Sequence, residues 1–273
     1  MKSITVLIAS YNRINLLKES LQSALDQDYP HFDVLVVDDG SEKETRNWLS
    51  EEMLNHRHLK IIFRPHLGVA ATRTYGVLKA QNELICILDS DDVLLPGALK
   101  TISEVFEKDP AVDLVYVKNR HYFPGGSTKV RNYPKFKSNK AMMAATWLMP
   151  TVPFKHSGTT FRRKTCTELG AYDVDLPCKI DIDLFLKFMA GNKKLHLITA
   201  PPLVGFNFHD ASISVKRISG IRVWLKLIDR YGPPSKTASW MIKCIKTWNE
   251  FMKLLFMEAM RLKLILDKFI KGK

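Results

Sequence analysis

Residues 84–92 read Leu-Ile-Cys-Ile-Leu-Asp-Ser-Asp-Asp, an unbroken apolar run that ends in an acidic cluster. A short apolar run without alternation is the pattern of a strand buried on both faces, and such strands belong to parallel sheets covered by helices. The same pattern repeats upstream. Residues 4–9 read as a buried strand, residues 14–27 as a helix with Leu17, Leu21 and Leu25 on one face, and Phe32 to Val37 as a second strand. Asp38-Asp39-Gly40-Ser41 then supplies a turn and the N-cap of a polar helix that runs to about His56. A strand from Leu59 to Phe63 and a helix from about Val69 to Ala80 lead into the quoted stretch. A helix opened by Pro96 and a strand from Asp113 to Val117 follow it. The expected fold class is therefore α/β, a mainly parallel sheet covered by helices on both faces.

Sheets of this kind bind ligands where the carboxyl ends of the strands meet helix N-termini. Asp38-Asp39 and Asp89 to Asp92 both fall at such ends, which puts both clusters along one crevice. Asp89-Ser90-Asp91 offers two carboxylates two residues apart. Hard cations such as Mn2+ and Mg2+ take oxygen ligands and bridge proteins to substrate phosphates, so this pair is a candidate metal and nucleotide site. The competing reading of each cluster is a solvated or capping turn.

Beyond residue 118 the alternation loosens. Pro124 to Ser127 reads as a hairpin turn between residues 120–123 and 129–131, followed by a helix near 140–147 and a strand around Ser157 to Phe161. A helix from about Arg163, a helix from Asp181 to Met189 and strands at Leu195 to Ile198 and Val204 to Phe208 come next. After Pro233-Pro234, apolar residues recur with helical period from Trp240 to Leu266, interleaved with lysines. This divides the chain into 1–118, 119–218 and 219–273, the last a basic amphipathic helical extension.

Composition sets broader bounds. With 46% hydrophobic and 25% charged residues, the 273-residue chain is that of a folded protein. Four scattered cysteines argue against a zinc site or disulfide framework and fit a reducing compartment. Neither a signal peptide nor an apolar run long enough to span a membrane is expected. The net charge of +13 is uneven: residues 1–110 hold 12 Lys/Arg against 17 Asp/Glu, and residues 111–273 hold 29 against 11. That excess suggests an anionic partner or general solubility.

Several motifs in order resemble the inverting family 2 glycosyltransferases of the A fold type. They are Ile4 to Arg13 (ITVLIASYNR), Val36 to Ser41 (VVDDGS), Gly68, Ala71 and Arg73 with Thr74 in place of the usual Asn, and Ile87 to Asp92 (ILDSDD). Gly170 to Asp173, Asp181 to Leu184 and Phe206 to Ser214 (FNFHDASIS) continue the likeness to about residue 215. The resemblance implies a UDP-sugar donor held by 1–118, the nucleotide-sugar-binding half of a catalytic domain, and a glycan or lipid-linked sugar acceptor held by 119–218, its acceptor-binding half. It implies that Asp39 binds the nucleotide base, that Ala9 and Tyr11 cradle it, and that Arg73 lies close to the nucleotide. Asp91 would be the direct metal ligand, Asp89 with Ser90 the ribose contacts, and His209 a further ligand of the metal or a contact of the diphosphate. Asp181 would be the general base, with Asp183 as the alternative. Ile180 stands where the family commonly has Glu, which bears on the acceptor subsite.

Two other functions compete. A metal-dependent nucleotidyltransferase would show a Gly-rich, basic phosphate loop after the first strand, which Ser10 to Arg13 does not resemble. A non-enzymatic basic protein would use the C-terminal helices on a membrane or on nucleic acid; the acidic crevice speaks against nucleic acid. The C-terminal helix itself fits either an anionic membrane surface or packing on protein, including a homodimer. The expected location is cytoplasmic, peripheral on the inner face of the plasma membrane.

Overall fold

A computed structural model describes residues 1–123, 126–207 and 217–271. The chain opens with β1 (Ile4–Ser10), α1 (Ile14–Leu25), β2 (Phe32–Asp38), α2 (Lys43–Asn55), β3 (Leu59–Phe63), α3 (Val69–Lys79) and β4 (Leu84–Asp89). A two-residue β5 (Val93–Leu94), α4 (Ala98–Lys108) and β6 (Val112–Val117) follow. Next come β7 (Asn119–Tyr122), β8 (Thr128–Arg131), α5 (Asn139–Leu148), β9 (Thr160–Arg162), α6 (Arg163–Glu168) and α7 (Ile180–Ala190). The last elements are β10 (Lys194–Ile198), β11 (Val204–Asn207), α8 (Arg217–Tyr231) and α9 (Lys236–Lys271).

The main sheet has seven strands in the order β10-β6-β9-β4-β1-β2-β3. Strand periodicity divides its side chains between two cores. Ile4, Val6 and Ile8 of β1 and Leu84, Cys86 and Leu88 of β4 pack against α1, α2 and α4. Leu7, Ile85 and Ile87 face the opposite way, toward α3, α7 and α8. Both faces are thus covered, as continuous apolar runs require. β1 lies between β2 and β4, so the connections diverge on either side of it. That switch point opens a crevice at the carboxyl ends of β1 and β4.

Two features depart from the sequence expectation. The strand around 157–161 is shifted to Thr160–Arg162 and inserts antiparallel between β4 and β6. The cause is a tight entry at Gly158, whose φ is +81° and whose missing Cβ would stand 2.4 Å from Val204 Cγ2 and 2.7 Å from Val117 Cγ2. Its N–H donates to the Ile87 carbonyl at 2.7 Å, tying the turn to β4. Secondly, β5, β11, β7 and β8 form a separate four-stranded sheet that flanks the crevice. Its edge strand β5 is too short to leave a period in the sequence.

The expected turn residues Pro124 and Gly125 lie outside the described residues, as do 208–216. Ser41 does not cap α2; the N-cap position is Glu42, with no side-chain hydrogen bond. Ser41 Oγ accepts instead from the Asn12 N–H at 2.9 Å, so it ties the β2 turn to the β1 turn. α8 belongs to the main core through Val223, Trp224, Leu227 and Ile228. Asp183 of α7, fully buried, accepts from Arg230 Nη1 at 3.1 Å and from the Tyr231 hydroxyl at 3.0 Å, fastening α8 to α7. Among the described residues no helix is long and apolar enough to cross a membrane.

Candidate active site

Parallel register sets Ala9 beside Val37 on one side and Asp89 on the other, so the turns after β1, β2 and β4 converge. Asp39 follows β2 and is buried. Its Oδ1 accepts from the Leu67 N–H at 2.9 Å and the Thr72 hydroxyl at 2.7 Å, and its Oδ2 from the Gly68 N–H at 2.9 Å. It therefore satisfies N–H groups at the start of α3 that no helical carbonyl reaches. His66 Nδ1 lies 3.0 Å from both Oδ2 and the Asp39 carbonyl oxygen. The His66 ring stacks on Tyr11 with centroids 4.1 Å apart. Gly40 permits this approach: a Cβ there would stand 2.6 Å from the His66 nitrogen. The outer Tyr11 ring is 43% exposed and presents an aromatic face to the crevice.

Asp89 ends β4 in a cationic clasp. Arg73 Nη2 donates to its Oδ1 at 2.5 Å, and His156 Nδ1 lies 3.2 Å from the same oxygen. The other ring nitrogen of His156 is 2.8 Å from the Tyr172 hydroxyl, and the Ser157 hydroxyl accepts the Asp89 N–H at 3.3 Å. Burial alone would raise the Asp89 carboxyl, yet the Arg73 guanidinium, His156 and Lys155 hold it well below the usual carboxylate range. Ser90 is buried beside it. Asp91 pairs with Arg13 Nη1 at 3.1 Å, and its backbone carbonyl accepts from Asn207 Nδ2 at 3.0 Å. Asp92 is buried and accepts from the Asn207 N–H at 3.2 Å. Burial, then Asp89 and Asp91, push its carboxyl well above the ordinary range.

Asp89, Asp91 and Asp92 each place a carboxylate oxygen within 4.8 Å of the others. This cluster suits a hard divalent ion. Its donors are all oxygens, and the buried Asp92 Oδ2 has no hydrogen-bond partner among the described residues. Three crowded carboxylates repel one another, and a dication would relieve that repulsion.

Asp181 sits in the first turn of α7, where the helix dipole favours an anion. No hydrogen bond or ion pair involves its carboxylate among the described residues, whereas Asp183 two positions on is committed to α8. Lys155 connects the two acidic groups: Asp92, Asp181 and Asp89 all favour its charge. Asp181 and the acidic cluster therefore face one cationic centre. His209 lies outside the described residues.

The sequence had pointed to Ala9, Tyr11, Asp39, Arg73, Asp89, Ser90 and Asp91 as one site, and the turns bring these seven together. It had given no role to His156, Lys155 or Tyr172, although Tyr172 falls within the Gly170 to Asp173 motif. These come from the loop before β9 and from the stretch after α6, which carry no phosphate-like or metal-like spacing. The one available signal was polar residues, Lys155-His156-Ser157, set between Phe154 and a glycine.

With the geometry in place, relatives add identity. The family described as Glycosyl transferase family 2 matches residues 5–170, more than half of the chain, and the chain belongs to it. Chondroitin synthase of Pasteurella multocida (strain Pm70) is 30% identical over 199 residues, covering 71% of this chain and 20% of that protein. Hyaluronan synthase of Pasteurella multocida matches at the same 30% over 71% of this chain and 19% of its own length. The chain thus spans about a fifth of the length of these relatives. Among solved structures, S. aureus TarS 1–349 has a TM-score of 0.67 at 17% identity, over 92% of this chain and 72% of that one. The same TarS segment has been crystallised with UDP-GlcNAc. The mannosyltransferase PcManGT from Pyrobaculum calidifontis, in complex with GDP-Man and Mn2+, has a TM-score of 0.60 at 18% identity over 91% and 70%. At such identities the structural likeness establishes a shared fold.

Proposed function

We propose that the chain is an inverting glycosyltransferase that moves a sugar from a UDP-sugar to a hydroxyl of a glycan or lipid-linked acceptor. The observation that carries this reading is the Asp89-Asp91-Asp92 cluster at the crevice, with Lys155 drawn both to it and to the unpartnered Asp181 carboxylate. Family membership supports sugar transfer, and TarS with UDP-GlcNAc supports a uridine nucleotide. Tyr11 offers a stacking face for the base and Asp39 an acceptor for its N–H. Arg73 keeps Asp89 ionised and oriented toward the ribose. Asp91, with Asp92 and His209, would hold Mn2+ or Mg2+; when bound, the ion neutralises charge on the departing diphosphate. Asp181 takes the acceptor proton as the acceptor oxygen bonds to the anomeric carbon and the bond from that carbon to the diphosphate oxygen breaks. In-line displacement inverts the anomeric configuration. The proposed setting is the cytoplasmic face of the plasma membrane, with the C-terminal helix lying on lipid.

The test is UDP release from a panel of UDP-sugars with Mn2+, with Mg2+ and with EDTA. Turnover that needs the metal, is lost in Asp91→Ala, and is lost in Asp181→Asn with UDP binding intact is the expected result. Absence of UDP binding by calorimetry with either ion would sink the donor site. Full turnover in Asp181→Asn would remove the base.

A further inference from the structure

Residues 114–167 contain 11 Lys/Arg and neither Asp nor Glu. Part of this excess converges on one face of the small sheet. The β7–β8 pairing sets Asn119 against Arg131 and His121 against Lys129, and β11 sets Phe206 beside His121. Cross-strand partners share a face, so Lys129, Arg131, His121 and Phe206 point the same way. The His121 and Phe206 rings meet at 5.1 Å between centroids.

A loop closes over this face. Arg131 Nη2 donates to the Val152 carbonyl at 3.3 Å, and Lys155 lays its ammonium 3.9 Å from the Phe206 ring centre. Among the described residues no hydrogen-bond acceptor reaches that ammonium. A partly buried cation whose N–H groups meet only an aromatic face loses hydration without full replacement, a deficit that an anionic ligand would repair. The crowding is visible in the titration of its neighbours. Burial, then Lys155, Arg131 and Lys129, push His121 down to about 4, so it stays neutral at physiological pH. Burial and Arg131 lower Lys155 as well, while Asp92, Asp181 and Asp89 oppose them.

The position of the cleft within the molecule selects the ligand. Lys155, whose charge Asp92, Asp181 and Asp89 all favour, stands at its inner end, and its outer end is β8, the strand farthest in strand order from β5, which follows the acidic cluster. A donor diphosphate belongs at that cluster. The far side of Asp181 belongs to the molecule whose hydroxyl it deprotonates. A guanidinium and two ammonium groups suit a sugar carrying a negative substituent, and Arg131 can grip a carboxylate or phosphate with two parallel bonds.

We infer that the cleft between the small sheet and residues 152–156 binds an anionic acceptor glycan, holding its carboxylate or phosphate with Lys155, Arg131 and Lys129. This rests on the transferase reading for the direction of transfer, and the cleft can be tested separately from it. Calorimetry on the full chain, with UDP and Mn2+ present and again without them, would compare three disaccharides that differ only at the terminal unit: glucuronic acid, glucose 6-phosphate and glucose. At least one charged disaccharide is expected to bind about tenfold or more tighter than the neutral one, the scale of a charge-assisted hydrogen bond. The preferred terminal unit separates a uronate from a phosphate acceptor. Lys155→Gln should abolish the difference. Lys129→Gln, on an exposed strand position away from the donor turns, should reduce it, leave UDP affinity unchanged, and keep the test open should the first variant fail to fold. Equal binding of all three disaccharides, or a preference that survives both substitutions, overturns the inference. Loss of UDP affinity in Lys129→Gln also overturns it, since this face would then serve the donor. Failure of the wild type to bind UDP would count against the transferase reading alone, because the titration without nucleotide still decides the cleft.

Discussion

Asp39 meets donors at Leu67, Gly68 and Thr72, and His66 stands at its remaining lone-pair direction. A carboxylate has about four such directions, so a nucleotide base can bond to Asp39 only by displacing or sharing one of these partners. His66, stacked on Tyr11 at the open side, is the one able to move. The residue is thus both a helix-start anchor and a candidate base contact, which separates it from Asp91. Asp39→Asn sets an amide N–H against backbone N–H groups and should cost about 1–3 kcal/mol, a fall in Tm of roughly 2–10 °C, together with UDP affinity. Asp91→Asn should weaken UDP binding in the presence of Mn2+ without lowering Tm, because it relieves the repulsion that raises Asp92. Thermal melts and UDP calorimetry on both variants check this; an Asp39→Asn protein as stable as the wild type would remove the anchoring role. The contrast marks the limit of what residue types disclose. That Asp39 and Asp91 end apolar strands could be read along the chain. That one carboxylate is saturated from within and the other meets Arg13 depends on Gly40 and on a loop 28 residues further on.

At the scale of elements, α9 shows best how periodicity and structure diverge. Its helical period was legible from Trp240 onward, but the lysines interleaved in it read as a solvated or lipid-facing stripe. Among the described side chains Lys243, Lys246 and Lys253 turn toward the body instead. Lys243 pairs with Asp229, Lys253 bonds Glu250 Oε1 at 2.6 Å, and Lys246 donates to the Met149 carbonyl at 2.8 Å. Lys246 is 1% exposed, with its ammonium 4.3 Å from the Trp224 ring centre. Burial, then Lys253, lower its pKa to about 7, against the pull of Glu250. The unfolded chain keeps this proton to about pH 10.4. Between pH 7 and that value the unfolded state therefore binds more protons than the folded one, and stability rises with pH. Below about 7 both states are charged and this lysine adds no further slope. Wild-type Tm should accordingly climb more steeply from pH 7 to 9.5 than that of Lys246→Met, as followed by thermal melts across that range. Parallel pH profiles would show that the helix docks without the strained ammonium contributing. The same divergence explains β9 and β5: a three-residue and a two-residue strand have no period to read, yet they position His156, Ser157 and Asn207 around the acidic cluster.

For the molecule as a whole, the inward turn of Lys243, Lys246 and Lys253 leaves an uncharged outer stripe over residues 240–255. Trp240, Met241, Trp248, Phe251, Met252 and Leu255 are 44–65% exposed and recur with helical spacing. An apolar stripe of this length on a solvent face calls for a cover. Two tryptophans within it favour the lipid interface, where an indole buries its ring and keeps its N–H wet. The attraction then comes from apolar burial more than from these lysines, so its salt dependence should be weak, contrary to what the net charge of +13 suggests. Flotation with phosphatidylcholine vesicles containing a fifth phosphatidylserine should carry the protein at low salt and still at 0.5 M NaCl. Trp240→Ser with Trp248→Ser should reduce partitioning by about tenfold or more, given the area two buried indoles remove from water. UDP binding should not change, because neither residue lies near the crevice turns. Should the wild type fail to float yet scatter light as a dimer that the double variant loses, the stripe is covered by a second copy of the chain. The lipid assignment would then fall while the crevice chemistry stands, since the two surfaces share no residue.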